Sequence, residues 1–257
     1  MPEKRLSFVI PARNEEALIA ECIEAILASI SRAVDVPRER LQLADTAFEI
    51  IVADDDSEDD TRRIAQHFVS TAGVRLVSCS GRSCAAARNT GAAASTGHVL
   101  CFVDADTMVP VNAVTRILEN HERDGMSLVL YKLVSREPGF RAWLWWSFWG
   151  FARHLPLARA KSLPGFMSCD RAHFARYGPF NESWLIAEEW SLTGAAYRYH
   201  RKQFRYDRSV VARTSSRRME LQPFGYSRTF FKWVAVVLFP WARTSLDDRI
   251  RHPTGNQ

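Results

Sequence analysis

Across roughly the first half of the chain, short β-like runs take turns with segments of helical period, and this alternation restricts the possible folds more than any other feature. Such a pattern builds a parallel sheet flanked by helices, because two parallel neighbours need a long crossover between them. Residues 6–10 read as a first strand ending at Pro11. Residues 15–31 read as a helix with one apolar stripe through Leu18, Ile19, Cys22, Ile23, Ile26, Leu27 and Ile30. A polar linker over 34–45 leads to a second strand at 48–53, then a helix at 59–69 with Ser57 as its cap and acidic residues in its first turn, and a third strand at 74–78. An alanine-rich helix at 83–94, a fourth strand at 98–103, a helix at 111–123 and a strand at 127–134 complete the series. Beyond it the alternation loosens. Helices at 171–177 and 188–201 and one or two strands within 203–213 give the remainder an α+β character.

In a sheet of this kind ligands bind at the carboxyl ends of the strands, and the polar clusters fall there. Pro11-Ala12-Arg13-Asn14-Glu15 follows the first strand and Asp54-Asp55-Asp56-Ser57 the second. Gly81-Arg82 and then Arg88-Asn89 follow the third, and Asp104-Ala105-Asp106 the fourth. In an extended segment Asp104 and Asp106 project to one side and can share a divalent cation that also takes diphosphate oxygens. On the residues alone, a solvated turn is equally open. Carboxylates after the second strand suit a base or ribose, and nearby arginines suit phosphate. No glycine-rich phosphate loop is present, so metal and arginine would have to meet the phosphate charge.

Composition sets the outer bounds. A chain of 257 residues, 47% hydrophobic and 25% charged, fits one large α/β domain with a C-terminal elaboration. The net charge of +5 is concentrated in Arg198, Arg201, Lys202, Arg205, Arg208, Arg213, Arg217 and Arg218. That asymmetry is compatible with nucleic acid, an anionic membrane, a phosphorylated substrate or a merely soluble basic face. Thr214-Ser215-Ser216-Arg217-Arg218 reads equally as a phosphate-binding or a solvated basic loop. The five cysteines are dispersed and lack a Cys-x-x-Cys pair, so reduced thiols in the cytoplasm are expected. No signal-peptide pattern opens the chain, and no apolar stretch reaches the length of a spanning helix. Two aromatic segments, 140–157 and 230–241, come partway. Interfacial contact with an anionic membrane and packing on the protein's own core are both open for them.

The ordered set of motifs resembles the inverting, nucleotide-sugar-dependent glycosyltransferases of family 2. The resemblance rests on Phe8-Val9-Ile10-Pro11-Ala12-Arg13-Asn14-Glu15-Glu16, on residues 49–61 from Glu49 to Thr61, on Ala87-Arg88-Asn89-Thr90-Gly91, and on Phe102-Val103-Asp104-Ala105-Asp106. A fainter match runs through Gly165-Phe166-Met167 and residues 177–182 to Ala187-Glu188-Glu189-Trp190-Ser191-Leu192. It implies the GT-A fold: a mostly parallel central sheet flanked by helices, with an aromatic-rich α+β C-terminal extension. Residues 1–135 would form the nucleotide-sugar half, 136–222 the acceptor half of the same domain, and 223–257 an amphipathic, interfacial segment.

The same resemblance implies roles. Pro11, Arg13 and Glu15 would line the nucleotide pocket, Asp54 or Asp55 would meet the base, and Arg88 would sit near the diphosphate. Asp104 and Asp106 would hold the sugar nucleotide and its Mn²⁺ or Mg²⁺, with Asp106 the more direct ligand. Glu189 stands where the family places an aspartate as catalytic base, preceded by Glu188 in the place of its usual glutamate. Asp56 replaces a usual glycine, and no Gln-x-x-Arg-Trp of the processive synthases is present, which favours single-sugar transfer. The expected partners are a nucleoside diphosphate sugar and a hydroxyl acceptor, lipid-linked if the aromatic segments meet the cytoplasmic membrane face; nucleic acid is not expected. Competing readings are a sugar nucleotidyltransferase and a noncatalytic, membrane-associated protein that retains the nucleotide-binding fold.

Overall fold

Each apolar run of the first half forms a strand, shifted by at most two residues at either end. In the computed structural model, β1 (Leu6–Ala12), β2 (Phe48–Asp55), β3 (Arg75–Cys79) and β4 (Val99–Val103) are joined through α1 (Ile19–Val34), α2 (Thr61–Ala72) and α3 (Cys84–Ala94). The structure describes residues 5–35, 37, 41, 43–154, 165–184, 187–222 and 224–238. Every residue of β1, β2 and β4 is buried. Helices cover both faces of such a sheet, which is why these strands read as continuous apolar runs. α1 buries the expected stripe and closes on Asp35 in the left-handed conformation (φ 55°). α3 lies close on the sheet because its Gly91 has no side chain; a Cβ there would stand 2.4 Å from Val9 Cγ1.

The remaining elements are β5 (Thr107–Met108), α4 (Ala113–Leu118), β6 (Leu128–Ser135), α5 (Phe140–Ala152), β7 (Phe166–Asp170), α6 (Arg171–Tyr177), α7 (Trp190–Tyr199), β8 (Phe204–Thr214), α8 (Arg217–Glu220) and α9 (Gly225–Leu238). One eight-stranded sheet runs in the order β3-β2-β1-β4-β7-β6-β8-β5. Its pairs are parallel from β3 to β4 and between β6 and β8, and antiparallel where β7 joins β4 and β6 and where β5 joins β8. Residues 136–222 therefore contribute β7 and β8 to the same sheet as β1.

Several local expectations are corrected. Ser57 does not cap α2: that helix starts at Thr61 behind Asp60, and Ser57 Oγ instead accepts the Asn14 N–H at 3.1 Å. Its first turn carries no acidic residue. The helix expected over 111–123 is α4 followed by one wide π turn, Glu119–Arg123. β7 and β5 were not legible as strands.

A buried polar chain ties β7 to that turn. His121 Nε2 lies 2.7 Å from Ser168 Oγ and His121 Nδ1 lies 2.9 Å from Asp170 Oδ1, while the Tyr131 hydroxyl also meets Ser168 at 2.8 Å. The order Ser-His-Asp imitates a nucleophilic triad, but Ser168 is fully buried and no substrate can reach it. Part of the basic surplus is compensated: Arg205 pairs with Asp124 at 2.5 Å, and Arg217 pairs with Glu15.

The aromatic segments divide, ring by ring, between buried and exposed positions. Trp145 and Trp149 of α5 and Trp233 of α9 form a buried cluster with Ala187 and Trp190. Phe140, Trp143, Leu144, Phe148 and Phe151 of α5 and Phe231 of α9 face outward. Positions 155–157 and 239–241 of these segments, and 239–257 of the expected C-terminal segment, lie outside the described residues. Among the described residues no helix is long and apolar enough to cross a membrane.

Candidate active site

β4 ends where the chain turns back on itself, so of the two backbone readings open for Asp104 and Asp106 the structure has the turn. The Thr107 N–H donates to Asp104 O at 2.9 Å and closes this turn. The end of β8 is laid against it: Thr107 pairs with Thr214 across the β5–β8 ladder, Thr214 Oγ1 donates to Asp106 Oδ1 at 3.2 Å, and Ser215 N donates to Asp106 O at 3.1 Å. From below, Cys22 Sγ donates to Asp104 O at 3.5 Å. Burial, and then the charges of Asp106 and Asp104, push that thiol well above its usual value.

Asp104 has one oxygen committed. Arg88 Nη2 donates to Asp104 Oδ1 at 2.7 Å, and Arg88 Nη1 donates to Glu188 Oε1 at 2.5 Å. The guanidinium is 1% exposed and lies over the Phe180 ring, 5.4 Å from its centroid. Burial alone would lower its pKa; the neighbouring Cys84, Asp104 and Glu188 outweigh that and hold it well above the usual value, so the group stays charged. Arg88 was expected near the diphosphate. The structure uses it as a cross-brace between the strand-end turn and the Glu188 segment. Asn89 continues the brace, donating to Phe180 O at 3.0 Å and Glu182 Oε1 at 2.8 Å and accepting from Phe180 N at 2.9 Å.

The ends of β2 and β1 carry the other expected residues. Asp54 is buried; its Oδ2 accepts from Arg62 at 3.1 Å, whereas its Oδ1 has no hydrogen-bond partner among the described residues. Asp55, also buried, accepts the Arg82 N–H at 2.9 Å, and Arg82 is held at φ 51°. Pro11 is buried in the last part of β1 opposite Ala53, while Arg13 beyond it is half-buried. Glu15 is 3% exposed, accepts from Arg217, and through its N–H donates to Thr61 Oγ1 at 2.7 Å. Thr214 and Arg217 belong to the 214–218 loop for which phosphate binding and a solvated basic loop were equally open, and Gly165 opens the fainter stretch of the family match; no individual role was legible for any of the three.

On the opposite side, Glu188 and Glu189 immediately precede α7, with Glu189 at its N-cap. Glu188 reaches Arg88. Glu189 is fully buried, and its charge is among the groups that oppose the downward shift which burial imposes on Arg153. His200 Nε2 lies 2.9 Å from the Tyr177 hydroxyl. Cys169 is a fully buried thiol.

Among the described residues no three His, Cys, Asp or Glu side chains form a complete metal cage. Two carboxylates nevertheless suit Mg²⁺ or Mn²⁺, hard cations that draw the rest of their shell from water and phosphate. Gly165 lies beside this pair: a Cβ there would be in ordinary contact with Asp104 Oδ2 at 3.6 Å and would press on Leu133 Cδ1 at 2.9 Å.

A sheet with its polar groups gathered on the carboxyl edge of β1, β2 and β4, and a mixed second half joined to β4 through the antiparallel β7, defines a protein of the GT-A type. The family model described as glycosyl transferase family 2 matches residues 7–183, and the chain belongs to that family. The chain is 30% identical over 125 residues, 48% of its length, to the uncharacterized glycosyltransferase EpsJ of Bacillus subtilis. The matched stretches span 23–32% of the length of the curated relatives. Staphylococcus aureus TarS in complex with UDP-GlcNAc superposes with a TM-score of 0.60 at 13% identity, over 91% of this chain and 65% of that one. The mannosyltransferase PcManGT from Pyrobaculum calidifontis, in complex with GDP-Man and Mn²⁺, gives 0.60 at 21% identity over 100% and 67%.

Proposed function

We propose that the chain transfers a single sugar from a nucleoside diphosphate sugar to a hydroxyl acceptor, with inversion at the anomeric carbon and with a divalent cation. The order of the sheet carries this reading. β2, β1 and β4 are consecutive neighbours, and each ends in groups suited to one part of such a donor. The buried, unpartnered Asp54 Oδ1 is an acceptor for a base or ribose donor group. Arg13 stands beyond β1, where phosphate oxygens would pass. Asp104 and Asp106 lie past β4. The nucleotide sugars bound by TarS and PcManGT support the same donor class, and family membership favours glycosyl over nucleotidyl transfer.

Asp104 Oδ2 and Asp106 would hold Mn²⁺ or Mg²⁺, which when bound neutralises charge on the departing diphosphate. The acceptor oxygen attacks the anomeric carbon, the bond to the diphosphate oxygen breaks, and the acceptor proton passes to a carboxylate. We assign that carboxylate to Glu189, which stands where the family resemblance places the catalytic base; the neighbouring Glu188 braces Arg88 through Oε1. Glu189 has no exposed surface, so an acceptor reaches it only after neighbouring side chains part. That burial also favours a second reading, a chain that binds the donor without transferring it.

Asp106→Ala tests the cation site. In the presence of Mn²⁺ its nucleotide-sugar affinity should fall by at least ~10-fold, to the metal-free value, with the melting temperature little changed. An affinity that keeps its full dependence on Mn²⁺ would remove Asp106 from the site.

The acceptor we favour is carried at a membrane surface. The buried part of the α5–α9 aromatic cluster packs on Ala187 and Trp190, which flank Glu188 and Glu189, while the outward Phe140, Trp143, Leu144 and Phe231 are accompanied by exposed Arg141 and Arg228. Aromatic rings and arginines together suit an anionic headgroup layer. None of the five cysteines forms a disulfide, which supports a reducing compartment and hence the cytoplasmic face. The protein should sediment with phosphatidylserine-containing vesicles and be partly released by high salt. Equal recovery in the supernatant with and without vesicles would dismiss membrane contact.

A further inference from the structure

We infer that Arg217 is a donor-binding residue, clamping the diphosphate nearer the sugar while Glu15 holds its guanidinium in position; this rests on the nucleotide-sugar reading above. Neighbouring strands lie about 4.8 Å apart, so the ends of β2 and β4, with β1 between them, are about 10 Å apart. A donor with its nucleoside at Asp54 and its sugar end at Asp104 and Asp106 must carry its phosphates across the end of β1. Glu15 follows that end, and Arg217 is the cation resting on it.

The approach of Arg217 is from the β4 side. The segment leaves β8 at Thr214, whose hydroxyl donates to Asp106 Oδ1, passes Ser215, whose N–H donates to Asp106 O, and reaches Glu15 two residues later. Arg217 thus spans the interval between the metal-site carboxylates and the nucleotide loop. The phosphate it meets is the one next to the sugar.

The loop is firmly anchored from behind. Ser215 Oγ and Ser216 N both donate to Glu137 at 2.6 Å, Ser135 Oγ donates to the same carboxylate at 3.2 Å, and Trp146 Nε1 donates to Ser216 Oγ at 3.1 Å. Burial alone would raise the Glu137 carboxyl; these hydrogen bonds bring it below its ordinary value, so the anchor is ionised at neutral pH. Arg217 keeps 28% of its side chain exposed while Glu15 keeps 4%. Among the described residues the guanidinium makes this single side-chain bond, although it carries five N–H donors. The remaining donors serve phosphate oxygens without the arginine leaving Glu15, so the buried carboxylate is never stranded. A carboxylate that neutralises one side of a guanidinium and fixes its plane reduces the ordering needed when the ligand arrives.

The test is calorimetric titration of the whole protein with UDP and UMP, and with GDP and GMP, comparing the unaltered chain with Arg217→Ala and Arg217→Gln. The diphosphate affinity should fall about tenfold or more in both variants and the monophosphate affinity much less, so that the gain from the second phosphate shrinks. A purely structural ion pair, once broken, would weaken both ligands by the same factor. An unchanged diphosphate-to-monophosphate ratio, or diphosphate binding within twofold of the unaltered chain, would overturn the assignment of Arg217 alone. Failure of the unaltered chain to bind any diphosphate would overturn the nucleotide-sugar reading, and this inference with it.

Discussion

Arg88→Ala should destabilise the protein by about 3–5 kcal/mol and abolish donor binding in whatever fraction remains folded. The guanidinium is 1% exposed, and its removal strands Glu188, with 10% of its side chain exposed, and releases Asp104, with 31%. A buried carboxylate without its partner is far costlier than the pair was beneficial, so the loss comes mainly from what is left behind. Arg88→Lys should rescue little. An ammonium is a point donor on a flexible stem and cannot reproduce two divergent bonds to Asp104 Oδ1 and Glu188 Oε1 while keeping its plane over Phe180. Urea denaturation measures the first effect. A midpoint shift equivalent to less than about 1 kcal/mol would mean that the carboxylates re-solvate freely and that the brace is not a structural hub.

The second large effect separates two adjacent glutamates. Glu189→Gln should lower turnover of the donor by roughly 10²–10⁴, the usual contribution of a general base, with nucleoside diphosphate affinity unchanged. With water as the acceptor, nucleoside diphosphate release from a nucleotide sugar provides the readout. Glu188→Gln should show a different signature, lowering stability and donor affinity together, because its carboxylate holds Arg88 and through it Asp104. If Glu188→Gln halts turnover with binding intact while Glu189→Gln remains active, the base is Glu188. If neither variant turns over less than the unaltered chain, the two glutamates serve only to brace the site.

The parts of this picture that local chemistry dictates were legible in the sequence. Leu6–Ala12 and Phe48–Asp55 are buried on both faces and so are apolar almost throughout. The strand ends, and with them Asp54, Asp55, Asp104 and Asp106, followed directly. What stayed hidden depends on pairing across the chain. β7 is five residues long, and what holds it is distant in sequence: antiparallel pairing with β4 and β6 and the buried contacts of Ser168 with His121 and Tyr131. Glu188 lies 100 residues from Arg88, and Arg217 lies 202 residues from Glu15, so no local pattern announces either bond. The spacing of the Asp-x-Asp pair leaves an extended segment and a turn both open; the turn is fixed by the Thr107–Asp104 bond and by the end of β8 laid over it. Site geometry here is set by long-range contacts on a frame that short-range pattern defines.

The central claim is that the carboxyl edge of β2, β1 and β4 binds a nucleoside diphosphate sugar with the help of a cation. Calorimetric titration of the unaltered protein with UDP, GDP and dTDP sugars, each with and without Mn²⁺, tests it most directly. The account predicts that one nucleotide class binds, at micromolar affinity, and that Mn²⁺ tightens it by at least about tenfold. No binding of any nucleotide sugar at any Mn²⁺ concentration would contradict it.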